Sequence, residues 1–161
     1  MWTGATLQAS VSKRSFSIAM LQEGLKPTMR PVFRSSTCLS NANTTNSLAP
    51  NELEALTRGI TQGRDGKGIT YVFAAANRNQ MGEHVDALGF QSSRFTISVG
   101  AVGKDGRHAS YSNTGASLFI SGPGGDIKHY ANNVVAVAGG GCGAIHQGTS
   151  FAAPVVSGVI A

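Results

Sequence analysis

The sequence feature that most constrains the fold is an eight-residue run over 69–76, which reads Ile-Thr-Tyr-Val-Phe-Ala-Ala-Ala. A run that is apolar at almost every position, rather than at alternate positions, is typical of a strand buried on both faces. Such strands occur in parallel sheets, whose two faces are covered by helices. The run therefore predicts an α/β fold with a parallel sheet.

The residues before this run predict a helix over 51–62. Asn51 is a good N-cap, and Glu54 follows it at the spacing of a capping box. One face of the helix is apolar, and glycines favour its end; these positions are Leu53, Leu56 and Ile60, then Gly59 and Gly63. A helix, a tight turn over 64–68 and a buried strand in succession are typical of parallel α/β folds.

Three further apolar segments predict strands at 95–102, 117–121 and 134–138. Turn-forming residues at 104–106 and 122–125 separate them. A small-residue apolar segment predicts a final helix over 150–161, with Pro154 in its first turn, where a missing N–H costs little.

Charge and glycine divide the chain into two parts. Residues 1–48 carry five basic side chains, one acidic side chain and two glycines, a net charge of +4. Residues 49–161 carry eight basic side chains, seven acidic ones and 19 glycines, a net charge of +1. We therefore expect an irregular leader over 1–48 and a folded unit over 51–161. The segment after Lys13-Arg14 is too short and polar for a convincing signal peptide, and a transit peptide is a weaker alternative.

Composition excludes several classes of protein. No basic face interleaved with aromatic residues follows the leader, so nucleic-acid binding is not favoured. No run approaches the roughly 20 apolar residues of a membrane-spanning helix. Two cysteines exclude a disulfide scaffold and a Cys₄ zinc site, and they leave open a single Cys38–Cys142 bridge. A phosphate-binding loop at 139–143 lacks the Lys-Ser/Thr that should follow it.

Gly148-Thr149-Ser150 places a serine where a glycine-rich turn meets a helix N-terminus. Glycine permits close approach of a substrate backbone, and the helix end offers N–H groups to a developing oxyanion. Two interpretations remain open for Ser150 on this pattern alone. It is either a nucleophile or a simple helix N-cap.

The stretch Gly-Thr-Ser-x-Ala-Ala-Pro at 148–154 resembles the serine motif of the subtilisin-like proteases, and Asn77 follows the buried strand in the matching order. Residues 55–68, 71–77 and 93–101, Tyr111-Ser112 and the Cys-x-x-x-His-x-Gly-Thr-Ser spacing at 142–150 resemble the kexin and furin branch. The resemblance covers about 51–161. It implies a serine endopeptidase acting on polypeptides, with Ser150 as nucleophile and Asn77 as oxyanion donor. It also implies that these two residues meet at the carboxyl edge of the sheet.

The chain departs from the family at several positions. We find no Asp-Ser-Gly, Asp-Thr-Gly or His-Gly-Thr motif for the other two catalytic residues. The resemblance places the histidine roughly 157 residues before the serine, and only 149 residues precede Ser150. We therefore expect the sequence to begin inside a catalytic domain. The alternative is a non-catalytic fragment or pseudoprotease, and either way the isolated chain is expected to be inactive.

The resemblance also implies acidic residues that bind calcium or a basic substrate side chain. Glu83 matches one such acid, and Asp86 is a second candidate for substrate binding. Leu88 and Asn113 stand where two further acids are expected, so basic specificity is in doubt. No cofactor is certain, and calcium rests on the resemblance alone. The remaining histidines are expected in loops, apart from His146, to which the resemblance gives a supporting role. The resemblance implies a secreted protein or one of the secretory pathway, but the sequence leaves the location open.

Overall fold

The computed structural model describes residues 32–34, 47–129, 133–137 and 141–160. In chain order the elements are β1 (Val32–Arg34), α1 (Pro50–Gln62), β2 (Tyr71–Ala74), β3 (Thr96–Val102), β4 (Ile120–Pro123), β5 (Asn133–Val137), β6 (Gly141–His146) and α2 (Thr149–Ile160). Short 3₁₀ turns lie at Asn79–Met81, Val85–Ala87 and Ile127–His129.

Strands β1 to β4 form one sheet in that order, and every neighbouring pair is parallel. Tyr71 of β2 lies between Val32 of β1 and Thr96 of β3. Strands β5 and β6 form a separate antiparallel pair whose register shifts between Val135 and Ala136. The predicted α/β class with a parallel sheet is thus confirmed.

The two helices cover opposite faces of the sheet because side chains alternate along each strand. Val72 and Ala74 of β2 belong to a buried cluster with Val99 and Ala101 of β3 and with Ala152, Ala153 and Val156 of α2. Tyr71 and Phe73 point to the other face, where they pack with Ala55 and Leu56 of α1. The β2 strand is therefore buried on both sides, as its apolar sequence predicts.

Helix α1 begins earlier in the sequence than the pattern indicates. Its N-cap is Ala49 rather than Asn51, because Pro50 takes the first helical position that suits its fixed φ. Glu52, not Glu54, reaches back to accept a hydrogen bond from the Ala49 N–H at 2.8 Å. The buried face is formed by Glu52, Ala55, Leu56 and Gly59, whereas Leu53 is 43% exposed.

Gly59 allows α1 to approach β2 closely. A Cβ atom built at this position would lie 1.8 Å from the phenol oxygen of Tyr71. That oxygen is buried and has no hydrogen-bond partner among the described residues. Gly59 therefore lies inside the helix for a packing reason, while Gly63 provides the C-cap.

Other boundaries differ from the predictions. The fourth strand occupies Ile120–Pro123 rather than 117–121, and β6 was not predicted. Strand β1 lies inside residues 1–48, so residues 32–34 of the expected irregular leader belong to the sheet. Pro154 is the sixth residue of α2 and lies beyond the first turn. Within the described ranges, no helix is long and apolar enough to cross a membrane.

Candidate active site

The candidate site lies at the carboxyl edge of the sheet, where parallel α/β folds place their sites. Asn77 follows β2 after a short extended segment, and the N-terminus of α2 lies at the same edge. The turn at Gly124 follows β4 and contacts the residue that precedes α2, since Gly148 N–H donates to the Gly124 carbonyl at 3.0 Å. Two segments distant in sequence therefore meet at this edge.

Asn77 is bonded to the residue that precedes Ser150. Its side-chain oxygen accepts one hydrogen bond from the backbone N–H of Thr149 at 2.8 Å and another from the Thr149 hydroxyl at 2.9 Å. These two bonds fix the plane of the amide, and Asn77 itself is exposed to solvent. The amide NH₂ group therefore remains the part of the side chain that can serve a ligand at this edge.

Backbone geometry before Asn77 is unusual. Ala76 has φ = 75°, in the left-handed region that costs a residue with a Cβ about 1–2 kcal/mol. The Ala76 carbonyl accepts a hydrogen bond from the N–H of Asn113 at 3.2 Å, and the Arg78 N–H donates to the Asn113 side-chain oxygen at 2.9 Å. Asn113 therefore holds the backbone on both sides of Asn77.

Ser150 lies inside the first turn of α2, half-buried, rather than before the helix. Gly148 precedes the helix with φ = 149°, and its carbonyl accepts the N–H of Phe151 at 3.0 Å. The interpretation of Ser150 as a simple N-cap therefore does not describe its position. Its backbone N–H belongs to the helix end, where the helix dipole favours negative charge.

Tyr111 connects several parts of this edge. Its buried phenol oxygen accepts the N–H of Gly148 at 2.8 Å, and the phenol lies 2.7 Å from the carbonyl oxygen of Gly125 and 3.0 Å from that of Gly124. Burial, opposed in part by the bond from Gly148, raises the pKa of Tyr111 to about 12. The phenol is therefore neutral and can donate and accept at neutral pH.

Glu83 and Asp86 are both engaged within the protein. Glu83 is 2% exposed, and one of its carboxylate oxygens accepts the side-chain N–H of Asn113 at 2.8 Å. Asp86 accepts the N–H groups of Ala116 at 3.0 Å and Ser117 at 2.7 Å, and the Ser117 hydroxyl at 2.6 Å. The hydrogen bonds from Ser117 lower the pKa of Asp86. Both carboxylates therefore hold loops in place through these hydrogen bonds. Substrate binding by either carboxylate stays a prediction.

Calcium binding stays a prediction that rests on the resemblance. Calcium requires six to eight oxygen ligands, and the described ranges hold no group of three or more His, Cys, Asp or Glu side chains that could share an ion. Glu83, the acid to which the resemblance points, is bonded to an amide nitrogen instead. We therefore assign no step of the chemistry to calcium.

The histidines of the described residues lie in different surroundings. The ring of His146 stacks on Phe151, with ring centroids 5.5 Å apart and planes 16° from parallel. His84 and His108 are exposed in loops, as predicted. The side chains of His129, Cys38 and Cys142 lie outside the described part, as does any bridge between the two cysteines.

Two residues of this edge were missed by the sequence pattern. The sequence pattern indicated Thr149 only as part of a motif, yet Thr149 donates both hydrogen bonds to Asn77. The sequence pattern indicated Tyr111 only as a match to the family, yet its phenol oxygen accepts a hydrogen bond from Gly148 in the turn before the serine. A tyrosine placed among small turn residues at 109–115 is the one signal that could have indicated a buried hydroxyl with partners.

Comparison with known proteins assigns the family. The sequence profile of the subtilase family, peptidase S8, matches residues 17–161, so the chain belongs to this family. The match begins earlier than residue 51, where the sequence motifs become recognisable. The curated relatives belong to the kexin and proprotein convertase branch.

Three relatives illustrate the extent of the similarity. Protease KEX1 of Kluyveromyces lactis is 36% identical over 117 residues, which are 69% of this chain and 15% of that protein. Human proprotein convertase subtilisin/kexin type 7 is 34% identical over 113 residues, 66% of this chain and 14% of that protein. The crystal structure of a cold-adapted subtilisin-like serine proteinase shares the fold, with a TM-score of 0.62 and 18% identity over 93% of this chain and 47% of that one. The chain thus spans a small part of its curated relatives.

Proposed function

We propose that these residues form the nucleophile and oxyanion part of a serine endopeptidase site that acts on polypeptides. In this proposal the Ser150 hydroxyl attacks the substrate carbonyl, and the side-chain NH₂ of Asn77 and the backbone N–H of Ser150 stabilise the oxyanion that results. The observation that carries the proposal is the pair of hydrogen bonds from Thr149 to Asn77. They bring the donor amide next to the serine across 72 residues of sequence.

The position of Ser150 at a helix N-terminus supports its role as the nucleophile, because negative charge develops close to the serine during the reaction. A tetrahedral intermediate places negative charge on the former carbonyl oxygen, and helix N-termini stabilise such charge. Because the oxygen of Asn77 is already bound to Thr149, the amide cannot rotate to present its oxygen without breaking both bonds. The donor is thus preorganised, which is the condition under which an oxyanion donor is effective.

The general base of the proposed site is not assigned to a residue of the chain. A serine hydroxyl is a weak nucleophile without an adjacent base, and the sequence contains no family motif for the catalytic Asp or His. We therefore propose that the isolated chain lacks the groups that activate the serine. The second candidate function is a non-catalytic fragment or pseudoprotease, and the missing motifs are the observation that favours it.

The first test uses the 161-residue chain alone. We expect no measurable peptidase turnover and no rapid labelling of Ser150 by a fluorophosphonate, because loss of the base leaves only residual catalysis. Mass spectrometry of the treated chain, with Ser150→Ala as control, identifies the labelled residue. Rapid labelling that disappears in Ser150→Ala would show that the chain contains its own base.

The second test separates the two candidate functions. Residues 51–161 replace the matching segment of the K. lactis protease, which supplies the remainder of the domain. We expect a chimera that cleaves a peptide substrate, loses that activity on Ser150→Ala, and loses about 10²–10³ in kcat on Asn77→Ala, a magnitude known from subtilisin itself. Asn79→Ala is the matched control in the same loop. A folded chimera without activity would support the non-catalytic alternative, and equal effects of the two asparagine variants would contradict the role of Asn77.

A further inference from the structure

The phenol of Tyr111 lies between the end of β4 and the turn before α2. The Gly148 N–H donates to the phenol oxygen at 2.8 Å and to the Gly124 carbonyl at 3.0 Å. The phenol hydrogen has two carbonyl acceptors within reach, of which Gly125 is the nearer at 2.7 Å. One hydroxyl group therefore joins the backbone of both segments.

The backbone of Tyr111 contacts the loop that carries Asn77. The Asn79 N–H donates to the Tyr111 carbonyl at 3.1 Å. Asn77, two residues earlier, accepts both hydrogen bonds from Thr149, which follows Gly148. The contacts therefore close a ring that runs from Tyr111 through Gly148, Thr149, Asn77 and Asn79 back to Tyr111.

Gly124 lies too close to the phenol and to the turn before α2 to carry a side chain. A Cβ atom at Gly124 would lie 3.0 Å from the phenol oxygen, 2.9 Å from the Gly148 carbonyl oxygen and 2.5 Å from Cβ of Ala101. Tyr111 is 7% exposed, so its hydroxyl has little access to water as a replacement partner. The turn before α2 is thus held at van der Waals contact by the phenol and the end of β4.

We infer that Tyr111 is a positioning residue, whose hydroxyl fixes the Gly148 peptide so that Thr149 and Ser150 face Asn77. The inference deepens the proposed function and rests on it, since it concerns the same nucleophile and donor. Phenylalanine would keep the ring packing, but it would leave the Gly148 N–H with a single acceptor and withdraw the donor from the Gly124 and Gly125 carbonyls. The aromatic ring of Tyr111 is needed for packing, and its hydroxyl group is needed to position the Gly148 peptide.

The test compares Tyr111→Phe with Tyr71→Phe in the full 161-residue chain. Tyr71 is the matched control because its hydroxyl is equally buried, finds no hydrogen-bond partner in the described part of the chain, and lies on the opposite face of the sheet. Two-dimensional ¹H–¹⁵N spectra report the backbone amides of Gly148 and Thr149 and the side-chain NH₂ of Asn77. Hydrogen exchange of the Gly148 amide is measured on the same samples.

For Tyr111→Phe we expect shifted signals at all three groups and about tenfold faster exchange at Gly148, which corresponds to the loss of one neutral hydrogen bond. Tyr71→Phe should move none of them. Unchanged Thr149 and Asn77 signals in Tyr111→Phe would overturn the inference. These readouts need no catalysis, so a failure here is distinct from an inactive chimera.

A second replacement guards against loss of folding. 4-Fluorophenylalanine at position 111 fills the volume of the phenol without an O–H, and it should reproduce the shifts of Tyr111→Phe. If both replacements unfold the chain while Tyr71→Phe does not, the hydroxyl supports the whole fold rather than the site, and the inference is wrong.

Discussion

Individual residues at the site adopt backbone conformations that are unfavourable in isolation. Ala76 before Asn77 and Gly148 before Thr149 both have positive φ, at 75° and 149°. Glycine meets this requirement at little cost, whereas alanine does not. Strained backbone of this kind persists only where surrounding contacts hold it, as Asn113 does for Ala76.

Replacing Ala76 by glycine should therefore raise the free energy of unfolding by up to about 1 kcal/mol, because the relief of left-handed strain exceeds the added entropy of the unfolded chain. Ala75→Gly is the control, since Ala75 is also buried but has ordinary φ, and it should lower stability by about 1 kcal/mol. Urea denaturation measures both. A loss of stability in Ala76→Gly equal to that in Ala75→Gly would contradict the strain argument.

At the scale of the elements, the close contact of α1 with β2 depends on Gly59, which has no side chain. Gly59 faces the phenol of Tyr71, whose ring is buried between helix and sheet. The added methyl group of Gly59→Ala would overlap the Tyr71 oxygen and force the helix outward, a change that typically costs 1–3 kcal/mol.

The expected result for Gly59→Ala is a lower urea midpoint with an unchanged slope. Gly158 in α2 provides the comparison, because a Cβ atom there meets nothing within 4 Å and helix propensity alone should stabilise Gly158→Ala by up to about 1 kcal/mol. If both variants gained stability, the close approach at Gly59 would not limit the packing of α1.

The elements differ in how well the sequence predicted them. The apolar runs located β2 and β3 to within two residues, because burial on both faces leaves a continuous pattern. Strands β1 and β6 carry no such pattern, since β1 has three residues and β6 contains two glycines. The partner of β1 is the distant strand β2, which a local pattern does not encode, whereas β6 pairs with the preceding strand β5.

The sequence likewise indicated some residues of the candidate site and missed others. Motif order pointed to Asn77 and Ser150, whereas Thr149 and Tyr111 act through tertiary hydrogen bonds whose partners a single sequence does not identify. Glu83 shows the converse case. The resemblance implied a binding role for Glu83, which stays a prediction, but it did not indicate the hydrogen bond from Asn113, 30 residues away.

For the molecule as a whole, the two buried phenols on opposite faces of the sheet couple folding to alkaline pH. Burial raises the pKa of Tyr71, and burial raises that of Tyr111 to about 12, helped by the negative charge of nearby Asp126. An unfolded tyrosine ionises near pH 10. Between these values the unfolded chain binds fewer protons than the folded one, so stability is complete below pH 10 and falls as pH rises toward 12.

We therefore expect the urea midpoint to decline between about pH 10 and 12 more steeply in the unmodified chain than in Tyr111→Phe or Tyr71→Phe. Comparing variants cancels the contributions of lysines, which are common to all three chains. Parallel curves for the three would show that neither phenol carries the coupling.

The separation of 72 positions between Asn77 and Thr149 affects the timing of site formation during synthesis. A ribosome adds about 5–20 residues each second, so roughly 4–14 s separate the synthesis of the asparagine from that of the threonine. Throughout this interval the nascent polypeptide holds the oxyanion donor without its serine. Under the proposed function, the nucleophile and the oxyanion donor therefore cannot come together on a nascent chain until α2 has been synthesised and docks against the sheet.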